Sequence, residues 1–245
     1  MNTFSESQLQ DLKDLQQAAR SLGSEAVIIG AMAYRVYIDD VDRQTYDIDL
    51  AVALDLDEFR RLEDVLTMLG RRPQRTEEQR WITSRGNRLD LVPAGPALRE
   101  KGKLVWPRSG FVMSLAGFDH VFRDSSSQDV GNGLIYKVIP PPVLVLLKIA
   151  SYLDDPQRRR KDLFDLRGLM QRDERDSERI FSDVVFHADL PDVEFAGALL
   201  LGLDLRAIAT QRDFSLVNSF LDRMTNLRDS PVNALADEDW ALASR

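Results

Sequence analysis

The residues best placed to do chemistry are Asp47 and Asp49, in the run Tyr46-Asp47-Ile48-Asp49-Leu50. On a strand, residues two apart project from one face, with Cα atoms ~6.5–7 Å apart. Two carboxylates so placed repel each other unless a cation lies between them. Oxygen ligands of this kind suit Mg²⁺, which keeps waters and substrate phosphates in its shell. A pair of such ions ~3.5–4 Å apart clamps in-line phosphoryl transfer. Asp90, in the run Arg88-Leu89-Asp90-Leu91-Val92, is available as a third carboxylate. Gly30 follows an apolar run, where the missing side chain lets the backbone approach a phosphate. Taken singly, Asp-x-Asp also reads as a solvated strand face, and Gly30 as a tight turn.

The elements that must position these residues are visible in the hydrophobic pattern. Leu9, Leu12, Leu15 and Ala19 predict an amphipathic helix over 5–22, stopped at Gly23. Ala26 to Ile29 reads as a buried strand, 31–38 as a helix on it and 39–45 as a polar loop. Tyr46 to Leu54 alternates: Ile48, Leu50 and Val52 share one face, Asp47 and Asp49 the other. A helix over 57–69 turns Phe59, Leu62, Val65, Leu66 and Leu69 inward. Strands near 79–83 and 87–92 flank an Arg85-Gly86-Asn87 turn. Residues 93–133 carry too many Gly, Ser and Pro breaks to read. A short strand is expected near 134–138, and Pro140-Pro141-Pro142 opens a helix. Helices follow at about 142–153, 159–171 and 175–187, then on to the C-terminus. The change of composition at 140 divides the chain into an α+β domain, 1–139, and an all-α domain, 140–245.

Composition excludes several chemistries. The absence of cysteine removes thiolate metal sites, disulfides and a Cys nucleophile. His120 and His187 lie far apart and have no evident partners, so neither is assigned a role. Neither a Walker loop nor a GxGxxG motif occurs. A formal net charge of −8 argues against an overall basic surface for gripping nucleic acid. Basic clusters nevertheless occur. Arg71, Arg72, Arg75, Arg80, Arg85 and Arg88 fall in one stretch, and Arg158 to Lys161 form another. They could meet a triphosphate or an RNA acceptor end, or be no more than solvated arginines. Trp81, Tyr46 and Phe164 are read as core residues rather than base-stacking platforms. No targeting signal or membrane-spanning run is expected, and the chain is read as soluble and cytoplasmic.

The order of these parts resembles the nucleotidyltransferase superfamily that includes DNA polymerase beta-like enzymes. The matching residues are Ile29-Gly30-Ala31, then Arg43-Gln44-Thr45-Tyr46-Asp47-Ile48-Asp49-Leu50, then Leu89-Asp90-Leu91. Downstream, Leu147-Lys148-Ile149-Ala150 and Arg160-Lys161-Asp162-Leu163-Phe164-Asp165-Leu166 resemble the AbiEii-like group, which contains toxins of toxin–antitoxin systems. Ala31 stands where the superfamily usually has Gly or Ser, and the spacer to Asp47 is longer than in compact members. The resemblance implies a mixed sheet flanked by helices, followed by a helical C-terminal region. It implies that Asp47, Asp49 and Asp90 hold two Mg²⁺ ions, with Asp90 also the base on the acceptor hydroxyl. Gly30 and Ala31 would cradle the triphosphate, with Arg43 and Thr45 supporting the loop or phosphates. Lys148, Lys161 and Asp162 would face the nucleotide from helices, although Lys161 and Asp165 also have the spacing of a plain helix ion pair. The implied activity is transfer of a nucleoside monophosphate from an NTP to an acceptor hydroxyl. RNA (tRNA included) or protein is the favoured acceptor, and an antitoxin is a possible partner. The alternatives are an inactive binding or regulatory module of the same fold, or an enzyme acting on a small aminoglycoside-like molecule.

Overall fold

The computed structural model describes residues 4–38, 47–172 and 177–225. The chain divides into two compact units, Met1–Leu144 and Val145–Arg245.

The first unit opens with α1 (Glu6–Ser21), started by a reciprocal cap in which Ser5 and Gln8 bond each other's backbone N–H. Leu9, Leu12, Leu15 and Ala19 are all buried, as their spacing requires. The chain continues through β1 (Ala26–Ile29), α2 (Gly30–Tyr37), β2 (Asp47–Val52), α3 (Leu56–Met68), β3 (Arg72–Pro73), β4 (Arg80–Ile82) and β5 (Arg88–Pro93). Then come α4 (Pro96–Lys101), β6 (Lys103–Val105), β7 (Val112–Ser114), α5 (Phe118–Arg123), β8 (Ser126–Asp129) and β9 (Ile135–Val138). The main sheet has the order β3-β4-β5-β2-β1-β9-β8. β2 runs parallel to β5 and β1 parallel to β9, and the other neighbours are antiparallel, so the sheet is mixed. β1 and β2 lie at its interior, which explains why Val27, Ile28, Ile48, Leu50 and Val52 are wholly buried. Each such side chain contributes about 1.5–3 kcal/mol on leaving water.

Several sequence expectations change here. Leu69 is not inward: α3 ends one residue earlier, and Leu69, as its C-cap, is 45% exposed. The strand-forming pair Arg72–Pro73 escaped the pattern because two residues cannot alternate, and its proline is tolerated at a sheet edge. The unreadable stretch 93–133 holds two short helices, a separate β6–β7 hairpin and β8, an edge strand of the main sheet. That hairpin is tied to the main sheet by Glu78, whose carboxylate accepts from the Arg108 N–H (2.9 Å) and from the Ser109 N–H and hydroxyl (2.6 Å each). Burial pushes the Glu78 pKa up, but these donors outweigh it and hold the carboxyl below its ordinary value.

The second unit is helical: α6 (Pro141–Asp154, its first turn in the first unit), α7 (Lys161–Arg172), α8 (Asp183–Phe186), α9 (Ala196–Ile208) and α10 (Gln211–Thr225). The helix expected over 175–187 is instead a 3₁₀ turn, Ser177–Phe181, and the four-residue α8. Extended Ser182 (φ −74°, ψ 158°) breaks the two apart. Gly197 lets α9 approach α7, since a Cβ there would lie 2.6 Å from the Met170 carbonyl oxygen. Tyr152 on α6 meets Phe220 on α10 edge to face at 5.9 Å. Phe164, expected in the core, is 57% exposed on α7. Among the described residues no helix is long and apolar enough to cross a membrane.

Candidate functional site

Strand register assembles the site. β2 and β5 pair in parallel with Asp49 beside Asp90 and Asp47 beside Arg88. β1 places Ile29 on the other side of Asp49, and β4 places Arg80 on the other side of Asp90. Laterally paired residues share a face of a sheet. One row therefore reads Ile29, Asp49, Asp90, Arg80, and the next reads Asp47, Arg88, Ile82. All three expected carboxylates stand on one face.

Gly30 follows directly at the end of β1 and begins α2 with φ +65°. A side chain is disfavoured in that conformation. Space forbids one as well, because a Cβ built there would overlap the Asp49 carboxyl, its Cγ only 2.8 Å away. The glycine is thus what lets the strand–helix turn lie against the second aspartate. Ala31 follows it in the first turn of α2.

Arg80 dominates the charge balance. Its Nε donates to Asp90 Oδ1 at 2.8 Å and its Nη2 to Asp90 Oδ2 at 2.7 Å, a two-pronged fork. The same Nη2 donates to Asp47 Oδ2 at 3.1 Å. Nη1 reaches Glu77 Oε2 at 2.6 Å. Arg88 adds a longer contact to Asp47, 3.6 Å. The bond to Asp90 raises the Arg80 pKa. Burial opposes it, the charges of Asp90, Asp47 and Glu77 reinforce it, and the guanidinium stays charged throughout. Sequence reasoning saw Arg80 only as one of a basic run. A usable signal was present: a hairpin centred on Arg85 pairs position 80 with position 90.

The donor chemistry fits a divalent cation. The oxygens are carboxylate, and one cationic nitrogen already touches both Asp47 and Asp90, standing where a shared cation would be attracted. Among the described residues, no group of three or more His, Asp or Glu side chains is drawn together as a ready-made metal cage. Asp47 and Asp90 are instead spread along Arg80.

The remaining expected residues lie outside the described residues or in the helical unit. Arg43 and Thr45, with Tyr46, lie outside the described residues. In the helical unit Lys148 and Asp162 are bonded to each other: the buried Lys148 ammonium donates to Asp162 (2.8 Å) and to Asp165 (2.5 Å). Arg159 donates to the second oxygen of Asp162 at 2.7 Å. Lys161 is exposed at the start of α7. Four of the six arginines in the basic run 71–88, Arg71, Arg80, Arg85 and Arg88, face carboxylates. Arg71, 2% exposed, donates to the Asp11 carbonyl, and Arg85 donates to the carboxylates of Asp11 (2.7 Å) and Asp14 (2.9 Å).

Solved structures similar to this chain include the antibiotic-resistance factor ANT(2″)-Ia, at 15% identity over 93% of this chain and 97% of that one, with a TM-score of 0.43. An antigenic nucleotidyltransferase-like protein from Paracoccidioides brasiliensis matches at 17% identity over 83% of this chain and 93% of that one, TM-score 0.44. The Thermotoga maritima CCA-adding enzyme, solved with tRNA, matches at 13% identity over 98% of this chain and 78% of that one, TM-score 0.33. Comparison with curated proteins finds no matching sequence. The family model described as "Nucleotidyl transferase AbiEii toxin, Type IV TA system" matches residues 13–243, nearly the whole chain. With its strand–glycine–helix turn, its Asp-x-Asp strand and its mixed sheet, this chain belongs to the AbiEii nucleotidyltransferase toxin family.

Proposed function

We propose that this nucleotidyltransferase moves a nucleoside monophosphate from an NTP to a hydroxyl of a macromolecular acceptor, an RNA end or a protein, as the toxin of a toxin–antitoxin pair acting in the cytoplasm. The observation that carries the reading is the common face of Asp47, Asp49 and Asp90, with Gly30 against Asp49, in a chain of this family. Asp47 and Asp49, with Asp90, are the residues that would hold Mg²⁺. When bound, the ions would neutralise the triphosphate and acidify the attacking hydroxyl. Gly30 and Ala31 begin α2, whose N-terminus has no side-chain cap, and their backbone N–H groups are the donors that would receive phosphate oxygens. Asp90 takes the proton from the acceptor hydroxyl as that oxygen bonds to the α-phosphorus. The bond from the α-phosphorus to the β,γ-phosphates then breaks, and pyrophosphate leaves.

The test incubates the protein with each labelled NTP, Mg²⁺, total tRNA and cell protein, and follows label and pyrophosphate. Wild type should label one acceptor class. Replacing Asp47 and Asp49 together by Ala should lower the rate at least about 10²-fold with the circular dichroism spectrum unchanged. Label in neither class from any NTP, or full activity in the double variant, would overturn the proposal. Label confined to small molecules would move the acceptor to the aminoglycoside-like class.

A further inference from the structure

We propose that Arg80 is the resident counter-ion of the carboxylate face, and that a divalent cation must displace its guanidinium from Asp47 and Asp90 to bind. The inference rests on the transferase reading above and adds how that site is kept and opened. Two like charges on adjacent strands need a cation between them. Arg80 is that cation, with Nη2 within 3.1 Å of Asp47 and within 2.7 Å of Asp90. It is mostly covered, with a side chain 19% exposed, so its hold on the carboxylates is weakened little by solvent. While the fork grips Asp90, no three acidic groups among the described residues close around a common point.

The same arginine has somewhere to go. Nη1 is already paired with Glu77 at 2.6 Å, one helical-turn spacing back in sequence and outside the carboxylate row. Release of Asp47 and Asp90 therefore leaves the guanidinium with a partner. It also frees donors beside the place where an NTP phosphate would sit. A bare cation must compete with the guanidinium, whereas a cation arriving with a triphosphate brings negative charge for the displaced arginine. Arg80 acts in this account as a positioning residue that couples cation and nucleotide binding.

Titration of Mn²⁺ into the full-length protein, followed by the electron paramagnetic resonance signal of the free ion, reads this directly. Arg80→Gln removes the competitor and should bind Mn²⁺ about ten-fold more tightly than wild type. Adding Asp90→Asn to that variant should reverse the gain. A purely structural arginine would leave the affinity unchanged or weaker in Arg80→Gln; with wild type binding Mn²⁺ and transferring nucleotide, that result overturns the inference and spares the transferase reading. Absence of Mn²⁺ binding in both proteins, together with absence of transfer by wild type, overturns both. If Arg80→Gln does not fold, Arg80→Lys replaces the fork with a single charge and should show a smaller gain; no gain there overturns the inference.

Discussion

At the scale of single residues, Gly30 and Asp49 depend on each other. Gly30 holds a left-handed backbone angle, and any Cβ on it would press into the Asp49 carboxyl. Gly30→Ala meets both penalties. It should cost about 1–3 kcal/mol of stability. It should also displace Asp49 and suppress nucleotide transfer more than the stability loss explains. Urea unfolding and the transfer rate, measured on one preparation, decide this; unchanged values in both would show that the turn tolerates a side chain. Charged residues of one type also differ sharply in commitment. Arg80 divides itself among Asp90, Asp47 and Glu77, whereas Lys148 spends its ammonium inside the helical unit on Asp162 and Asp165. Which anion each cation meets is the fact that assigns it work.

At the scale of elements, the β4–β5 hairpin serves two purposes. One end presents Arg80 and Asp90 to the site, while the turn sends Arg85 and Asn87 to α1. There Asp11, with no exposed surface, accepts from Arg85 Nη1 and Asn87 Nδ2 at 2.7 Å each. Arg71 approaches the same carboxylate at 3.8 Å, and burial pulls its pKa down against the charges of Asp11 and Asp14. Removing one member of a buried charge cluster strands the others. Asp11→Asn should therefore destabilise by about 3–5 kcal/mol. Arg85→Ala, at a more exposed position, should cost about 1 kcal/mol or less. Chemical denaturation of both variants separates the cases, and equal small losses would mean that the cluster is not cooperative.

At the scale of the whole molecule, a net charge of −8 coexists with arginines of which Arg71, Arg80 and Arg85 are neutralised by neighbours. Among the described residues, Arg71, Arg80 and Arg85 are thereby committed to carboxylates and withdrawn from any surface that could grip a long polyanion. If the acceptor is RNA, binding should therefore involve few phosphates. The slope of log K against log salt should be about −2 or shallower, since each phosphate contact on single strands adds about −0.7. Filter binding of an acceptor RNA across a salt series measures it. A slope of about −5 or steeper would mean that a broad basic surface grips the RNA and would overturn this prediction.

The sequence alone determined the order of parts: the amphipathic first helix, the buried strand ending at Gly30, the Asp-x-Asp strand and the hairpin carrying Asp90. These are legible because periodicity and glycine placement are local properties of the chain. Short pieces such as β3, and the elements between 93 and 133, were not legible, because runs of two to six residues carry too few positions to show a period. Tertiary structure decided which neighbours met. Only the parallel pairing of β2 with β5 sets Asp49 beside Asp90, because the two strands are joined through a helix and an edge hairpin rather than a turn that would fix their register. Only the packing of α1 shows that Arg71 and Arg85 serve Asp11 and not a ligand. Charge reads the same along a sequence whether it faces solvent, a substrate or an opposite charge, and folding is what chooses among the three.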